Sequence, residues 1–347
     1  MSALPAVDRP LDEGEAEAAF GAMLDGAPSE QEIADFLVAL SDRGETASEI
    51  AGAARAMRAR LIPVAAPDNA IDVCGTGGDG HHTLNVSTAV ALVVAACGVP
   101  VAKHGNRAAS SKAGAADTLE ALGLDMEAAG RTAEKTLADI GICFLFAKNH
   151  HPAMGRIQPI RQRLGRRTIF NLMGPLSNPA GVRRQLIGIA RPAYVPIYAA
   201  AKAKLGTDRT FIASGDEGLD ELSLASGNEL ADVVGNDFEM RRVDATQAGL
   251  QHAPVEAIRG GDAAHNARAP ISRALSARAL CAASPPRIAS TGACSSPACV
   301  ASMRRISKSL PMTFASSLPP ARLSSSRPSS PEAMKVRSVP SFALAAA

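Results

Sequence analysis

The sequence predicts an α/β protein made of a small helical N-terminal domain and a larger α/β domain, whose mostly parallel sheet is flanked by helices. Three observations predict this architecture. Capped helical patterns fill residues 8–60, a strand–loop–helix–strand unit spans residues 70–103, and strands alternate with helices through residues 70–260. Hydrophobic residues make up 46% of the 347-residue chain, so it can bury a sizeable core, which must be mainly aliphatic because aromatic residues are only 3%.

The N-terminal segment predicts three helices. Apolar residues of the first recur at the spacing of one helix face: they are Ala16, Ala19, Phe20, Met23 and Leu24. Two capping boxes, in which Ser or Thr precedes Glu by three residues, open the second and third helices at Ser29 and Thr46. A proline-containing linker follows, and we place this domain at residues 1–66.

A glycine-dense loop joins a strand predicted at 70–73 to a helix predicted at 89–97. Its glycines are Gly75, Gly77, Gly78 and Gly80. Glycine lets backbone amides approach an anion closely, and a helix N-terminus adds partial positive charge. Asn85, Ser87 and Thr88 add small polar donors at the start of the helix. The loop therefore predicts a phosphate-binding cradle, and a tight turn without a ligand is the structural alternative.

Other ligand sites are disfavoured. A dinucleotide site needs an acidic residue about 20 positions after the glycines, and residues 80–116 contain none. Cys74, His81 and His82 lack the spacing of a structural zinc site. The adjacent residues His150 and His151 are expected to point apart, which argues against a shared metal.

A basic segment follows the strand predicted at 99–103. Residues 103–116 read KHGNRAASSKAGAA. Ligands of open α/β sheets bind at the C-terminal ends of the strands, where lysine, arginine and serine supply charge and hydroxyl donors for phosphate. The segment therefore predicts a second part of the anion site, and a solvated basic loop is the alternative.

An acidic segment follows the strand predicted at 210–213. Its four carboxylates are Asp216, Glu217, Asp220 and Glu221. Magnesium prefers oxygen ligands and often bridges to substrate phosphates, so the segment predicts a Mg²⁺ site beside the phosphate loops. An acidic loop that caps a helix is the alternative.

The rest of the pattern completes the α/β domain and limits the class of protein. Further helices are predicted at 117–122, 124–138 and 194–205, strands at 140–146 and 185–190, and a rigid turn at 174–179. A net charge of +2 indicates no particular partner. No run is apolar and long enough to span a membrane, and no export signal is visible, so we expect a cytoplasmic protein whose six cysteines are reduced.

Taken together, these motifs resemble the anthranilate phosphoribosyltransferase family. The matching segments are GTGGD at 75–79, NVST at 85–88, KHGNRAASS at 103–111, HPAM at 151–154, RTIFNLMGPLSNPA at 167–180, GLDELS at 218–223 and GGDAAHNA at 260–267. The resemblance runs from about residue 8 to residue 268 and is specific, because independent motifs follow the order of the family. A pyrimidine nucleoside phosphorylase, which has the same fold and a similar glycine loop, is the alternative enzyme.

The resemblance implies an activity and an assembly. It implies transfer of the 5-phosphoribosyl group from phosphoribosyl pyrophosphate to the amine of anthranilate, with Mg²⁺, in tryptophan biosynthesis. The site would lie in the cleft between the two domains, and two copies would form a homodimer through their helical parts. Because the amine is already neutral at pH 7, we expect no catalytic general base.

The resemblance also implies the site residues. Phosphoribosyl pyrophosphate would be held by Gly75, Gly78, Asp79, Thr83, Asn85, Val86, Ser87, Thr88, Lys103, His104, Gly105, Asn106, Arg107, Ala108, Ala109, Ser110, Ser111 and Ala115. Anthranilate would contact Gly75, His104, Asn106, Arg161 and Pro175, and the metal would be bound by Ser87, Asp220 and Glu221. Where this chain has Ala113 and Ala115 the family often has serine, so one hydroxyl contact to phosphate is expected to be missing at Ala115.

Residues 269–347 depart from the family. From Arg268 onward the chain has eleven Lys or Arg residues against one acid, Glu332. Such a composition predicts a disordered basic tail, which we attribute to a shifted reading frame near codon 268. The α/β domain would then span residues 67–268 and lack its closing elements. A non-catalytic homologue that binds nucleic acid through the tail, or an inactive product of a damaged gene, are the alternatives outside the enzyme class.

Overall fold

The structure is a computed structural model that describes residues 4–108 and 112–268. Three residues expected to contact the phosphoribosyl group, Ala109, Ser110 and Ser111, lie outside the described residues. The tail predicted at 269–347 lies outside them too, so its expected disorder stays a prediction.

Three helices form the N-terminal unit, as predicted. They are α1 Glu13–Asp25, α2 Glu30–Arg43 and α3 Ala47–Arg58. Each begins with a complete capping box, at Asp12, Ser29 and Thr46, of which only the first was not predicted. The predicted apolar face of α1 is buried, and the Phe20 ring meets Phe36 and Phe170 edge-on at 5.9 and 5.7 Å. Because Phe170 belongs to the α/β domain, this face joins the two units.

Seven strands form one sheet in the order β3-β2-β1-β4-β5-β6-β7. They are β1 Ile71–Gly75, β2 Val101–Gly105, β3 Ile142–Phe146, β4 Arg184–Gly188, β5 Thr207–Gly215, β6 Asn228–Gly235 and β7 Asp237–Val243. The strands from β3 to β5 are parallel and the last two are antiparallel, which confirms a mostly parallel sheet. The chain moves outward from β1 on one side and from β4 on the other, so the crevice where ligands of open sheets bind lies between them.

Helices cover both faces of the sheet, as predicted. They are α4 Val86–Ala96, α5 Ala115–Ala121, α6 Met126–Arg131, α7 Ala133–Ile140, α8 Ala147–His150, α9 Met154–Leu164 and α10 Val195–Lys204. Helix α4 packs against β1 and β2, and α10 packs against β5 and β6. Crossovers between parallel strands are right-handed as a rule, and these two move outward in opposite directions, so the rule predicts that the two helices lie on opposite faces. Helix α10 packs between the sheet and α3. Within the described ranges, no helix has the length and hydropathy needed to cross a bilayer.

Three local predictions were wrong. Residues 124–138 form two helices rather than one, because the backbone of Thr132, with φ −111° and ψ 10°, interrupts the helix. Gly141, with a φ of 78°, ends α7, so β3 begins at residue 142 rather than 140. Residues 228–243 form an antiparallel hairpin instead of continuing the strand–helix alternation, because the tight connection at Gly235 (φ 61°) leaves no chain for a crossover helix.

Candidate active site

The glycine-dense loop after β1 is held from both sides. The amide of Gly77 donates to Oδ2 of Asp220 at 2.7 Å, and the Arg167 guanidinium donates to the carbonyls of Gly77 and Gly78 at 3.3 and 3.1 Å. Gly77 and Gly78 have φ values of 68° and 75°, a conformation that glycine adopts without strain. The predicted anion loop is therefore held in place, and Arg167, which was assigned no role from the sequence, is one of the residues that hold it.

Asn85, one of the small polar residues predicted as donors at the start of α4, is engaged with other parts of the protein. Asn85 makes no side-chain cap bond. Its Oδ1 instead accepts from Thr118 at 2.5 Å and from Asn266 at 3.0 Å, and its Nδ2 donates to the Ala113 carbonyl at 3.2 Å. Asn85 thus ties the helix start to α5 and to the last described helical turn, and it leaves the first amides of α4 to other partners.

Lys103, in the middle of β2, is the central cation of the site. Its side chain is 3% exposed, and its Nζ donates to the Val73 carbonyl at 2.7 Å and to Oγ of Ser87 at 3.2 Å. The Ser87 amide donates to Oε1 of Glu221 at 3.2 Å. Strands β1 and β2, helix α4 and the acidic segment therefore converge on one point, which brings together Lys103, Ser87 and Glu221, three residues that the resemblance assigns to the site.

Only part of the acidic segment faces this point. Asp216 forms an ion pair with Arg242 at 2.6 Å, and the Glu217 carboxylate accepts from two serine hydroxyls outside the cluster. Asp220 and Glu221 lie beside Asp79. Burial raises the pKa of Asp220, and the charge of Asp79 raises it further; burial and the charge of Asp220 likewise raise the pKa of Glu221. These carboxylates repel one another, which is the electrostatic condition of a cation site.

The residues present suit a magnesium ion that keeps most of its own water. Asp79 has a buried Oδ2 without a hydrogen-bond partner in the described part of the chain. No group of three or more His, Cys, Asp or Glu side chains in residues 4–108 and 112–268 forms a ready metal cage. Magnesium is usually bound by one or two carboxylates together with waters and substrate phosphates, so such a cage is not required.

A second group of site residues surrounds His104. Its Nδ1 lies 3.0 Å from the Gly174 carbonyl, and its Nε2 lies 3.2 Å from Nε2 of His151. Burial lowers the pKa of His104 to about 4 and that of His151 to about 3. Both rings are therefore neutral at pH 7. Since Nδ1 of His104 donates to Gly174, its Nε2 accepts the proton of His151.

His151 was missed as a partner of the site. The argument that it and His150 point apart is correct, because His150 places its Nδ1 3.1 Å from the Ile62 carbonyl, away from His104. The HPAM segment supplied the only signal in the sequence. Residues 104 and 151 meet only because β2 and β3 are neighbours, which the segment alone does not reveal.

Arg161 is available for an acidic ligand. Its guanidinium lies 5.9 Å from the centre of the Phe170 ring, and burial lowers its pKa. No carboxylate of the described residues forms an ion pair with it; its hydrogen bond to Oε1 of Gln158 is 3.4 Å long. A half-buried guanidinium without a counterion is suited to a ligand carboxylate.

Arg107, by contrast, is already paired. Its guanidinium binds the carboxylates of Glu120 and Asp117, which raise its pKa, and it lies 5.5 Å from the centre of the Phe146 ring. Asp117 also accepts from the amides of Ala108 and Gly114, at 2.9 and 2.8 Å. The described ends of the basic loop are thus fastened to the first turns of α5, which begins at residue 115.

The structure therefore brings two groups of the predicted site residues together. Gly75, Asp79, Ser87, Lys103, Asp220 and Glu221 meet at the ends of β1, β2 and the acidic segment. His104 and the turn that contains Pro175 form the second group. Thr83 forms a β-bridge with Arg259, and the middle of the basic loop lies outside the described residues.

Two family models match the chain. Residues 7–61 match the helical bundle domain of a glycosyl transferase family, and residues 67–285 match the a/b domain of the same family. The second match alone includes more than half of the chain.

Curated relatives and solved structures agree with these matches. The anthranilate phosphoribosyltransferase of Erythrobacter litoralis is 80% identical over 269 residues, which cover 78% of this chain and 82% of the relative. The enzyme of Novosphingobium aromaticivorans is 76% identical over 269 residues, which cover 78% of this chain and 82% of that relative. The crystal structure of the Thermus thermophilus enzyme has a TM-score of 0.71 at 43% identity and covers 76% of this chain and 79% of its own. The Saccharomyces cerevisiae enzyme, described in complex with PRPP and Mg, has a TM-score of 0.68 at 29% identity, with 76% of each chain covered.

Proposed function

We propose that this chain, which belongs to the anthranilate phosphoribosyltransferase family, transfers the 5-phosphoribosyl group of phosphoribosyl pyrophosphate to the amine of anthranilate. The products are N-(5-phosphoribosyl)anthranilate and pyrophosphate. The observation that carries this conclusion is the junction of Lys103, Ser87 and the Asp220–Glu221 pair below the glycine loop. One buried ammonium and several repelling carboxylates fit a substrate that is polyanionic and arrives with a divalent cation.

On the donor side, the chain supplies fixed positive charge and amides. Lys103 would neutralise phosphate oxygens from a buried position, where its ammonium already has two oxygen acceptors and needs little reorganisation. The loop at 75–83 and the first turn of α4, with Ser87 and Thr88, would direct amides and hydroxyls at the diphosphate. Ala108 and Ala115 would contribute only backbone atoms, and Ala109, Ser110 and Ser111 keep the role that the resemblance implies.

Asp220 and Glu221, with Ser87, would hold Mg²⁺. When bound, the ion neutralises charge on the departing pyrophosphate. The anionic forms of both carboxylates are disfavoured without it, because burial and mutual repulsion raise both pKa values. Gly77 fixes the Asp220 side chain and the Ser87 amide fixes Glu221, so the protein orients both ligands before the substrate arrives.

On the acceptor side, positioning replaces acid–base chemistry. Arg161 would bind the carboxylate of anthranilate and turn its amine toward the sugar. The neutral imidazole of His104, held at Nδ1 by Gly174, would line the acceptor channel with Pro175 and Asn106. The aromatic amine is uncharged at pH 7 and therefore needs no strong base, so we assign none.

The activity is tested by the fluorescence of anthranilate, which should fall when phosphoribosyl pyrophosphate and Mg²⁺ are added to the purified chain and should not fall when EDTA is present. A parallel reaction with thymidine and inorganic phosphate tests the phosphorylase alternative. Thymidine cleavage without anthranilate turnover would reverse the assignment.

Three further features belong to the same proposal. We propose a cytoplasmic homodimer joined through α1–α3, and a division into residues 1–66, 67–268 and 269–347. Light scattering of the full chain measures the assembly, and a monomeric mass at micromolar concentration would contradict it. A chain that ends at Arg268 should keep the melting temperature of the full chain if the tail contributes no folded structure. Salt-sensitive retention on DNA without turnover would favour the nucleic-acid alternative.

A further inference from the structure

Three consecutive carbonyls of the turn after Gly174 each accept a hydrogen bond from a different side chain. The Gly174 carbonyl faces Nδ1 of His104 at 3.0 Å, and the Pro175 carbonyl accepts from Nε2 of Gln185 at 2.8 Å. The Leu176 carbonyl accepts from Nε of Arg58 at 2.6 Å. These donors come from β2, β4 and α3, so three separate elements hold one short turn.

The far end of the turn is held in the same way. Nδ2 of Asn178 donates to Oδ2 of Asp72 and to the Ala102 carbonyl, both at 2.9 Å. Oδ1 of Asp72 accepts from the backbone amide of His104 at 3.2 Å. Asp72 is fully buried in β1, so a single carboxylate connects this turn to the strand that carries His104.

Arg58 is the donor that the fold alone explains least. It is the last residue of α3, in the helical N-terminal unit, and burial lowers its pKa. In the part of the chain that the structure describes, no carboxylate forms an ion pair with it. Because this guanidinium has no counterion among the described residues and donates from Nε to one carbonyl, its role is to hold that carbonyl in place rather than to balance a charge.

We propose that Arg58, Gln185 and Asp72 are positioning residues that set the wall of the acceptor site. They act through the Pro175 turn, and through Arg58 the helical N-terminal unit becomes part of the acceptor site. This inference rests on the proposed function, which places anthranilate against Pro175. It assigns Arg58 and Gln185 an effect on acceptor binding and none on phosphoribosyl pyrophosphate, because their contacts reach the turn and not the Lys103–Ser87 junction. Asp72 also contacts the strand that carries Lys103 and interacts with the charge of Lys103, so the test is confined to the other two residues.

The test compares three arginine variants. Arg58→Met removes the donor to Leu176, and Arg58→Lys retains an N–H donor at nearly the same reach. Arg60→Met is the matched control, because Arg60 lies two residues later and pairs with Asp25 at the surface. We expect Arg58→Met to raise KM for anthranilate about tenfold with KM for phosphoribosyl pyrophosphate unchanged. Arg58→Lys should recover most of this loss, and Arg60→Met should change neither constant.

A second variant keeps the inference testable if Arg58→Met does not fold. Gln185→Met alone would leave the buried amino group of Lys202 without its acceptor, so Gln185→Met is combined with Lys202→Met. The double variant should show the same selective rise in KM for anthranilate. Equal changes in both KM values, or a Lys variant no better than Met, would overturn the inference.

The two proposals fail separately. Calorimetric titration of the wild-type chain with anthranilate, in the presence of Mg²⁺ and pyrophosphate, measures acceptor binding without turnover. No binding and no turnover by the wild type would refute the proposed function and the inference with it. Binding by the wild type and equal affinity in Arg58→Met would refute the inference alone.

Discussion

The contact between His104 and His151 predicts that one imidazole carries a defined part of the acid sensitivity of this fold. Burial lowers the pKa of His151 from 6.5 to about 3, and its side chain is only 8% exposed. A group whose folded pKa is depressed contributes stability that is present above the unfolded pKa and is lost as the pH falls toward the folded one. Between about pH 8 and about pH 5 the unfolded state gains ~2 kcal/mol by protonating this ring, while the folded state gains almost nothing.

The perturbation is His151→Gln, whose amide can still donate to Nε2 of His104 but does not titrate. Urea unfolding of both proteins without Mg²⁺, at about pH 8 and about pH 5, gives the two free energies of unfolding. The wild type should lose ~2 kcal/mol more than the variant. The raised pKa values of Asp220 and Glu221 mean that these two carboxyls stabilise the fold as the pH falls, in the wild type and in the variant alike. The informative quantity is therefore the difference between the two proteins in the free energy of unfolding that each loses.

Thr207→Val is the matched control for this measurement. Thr207 is buried at the opposite end of the sheet, where its hydroxyl donates to the Arg183 carbonyl at 2.6 Å. Its loss should lower stability equally at both pH values. If His151→Gln and the wild type lost the same free energy between the two pH values, the neutral state assigned to the buried ring would be wrong.

Three further predictions concern the sheet end and its charges. A Cβ at Gly188 would lie 1.6 Å from the Asp220 carbonyl oxygen, so Gly188→Ala should lower kcat/KM by about 100-fold. Gly155→Ala, at an exposed position of α9 with open space around it, should leave kcat/KM unchanged. Equal kcat/KM values for the two variants would contradict the close contact at Gly188. Asp220→Asn should abolish Mg²⁺-dependent turnover. In EDTA it should raise the free energy of unfolding by at least ~1 kcal/mol, because it removes the repulsion between residue 220 and the neighbouring carboxylates. A melting temperature below that of the wild type would contradict this. Arg107→Gln removes exposed ion pairs and should change stability by less than ~1 kcal/mol; a loss of several kcal/mol in urea unfolding would show that the pairs are structural.

The elements that could be predicted are those whose signals are local. The boxes at Ser29 and Thr46 need only four consecutive residues, and both helices begin where the sequence places them. The hairpin at 228–243 was missed because the predicted alternation of strands and helices was extended through residue 260. No local pattern in this segment distinguishes an edge hairpin from a strand that is followed by a crossover helix. The family resemblance supplied the junction of Lys103, Ser87 and Glu221, which periodicity alone would have left as three separate segments.

What could not be predicted depends on contacts between distant parts of the chain. Arg58 and Leu176 are 118 residues apart, and Gly77 and Arg167 are 90 apart, so neither pair leaves a pattern in sequence spacing. The arginines were visible, but their usual partners in proteins are acids, whereas here each binds a backbone carbonyl. A carbonyl carries no signature in the sequence, because every residue has one.

The glycines at the ends of β1 and β4 let the acidic segment approach these two strands closely. An added Cβ at Gly75 would lie 2.7 Å from Oδ2 of Asp220, and one at Gly188 would lie closer still to its carbonyl. The acidic segment therefore crosses directly over two strand ends, and this close approach brings Asp220 within reach of the Gly77 amide. A side chain on either strand would push the carboxylates outward into water. Water would then screen the repulsion between the carboxylates, and the site would bind a divalent cation less tightly.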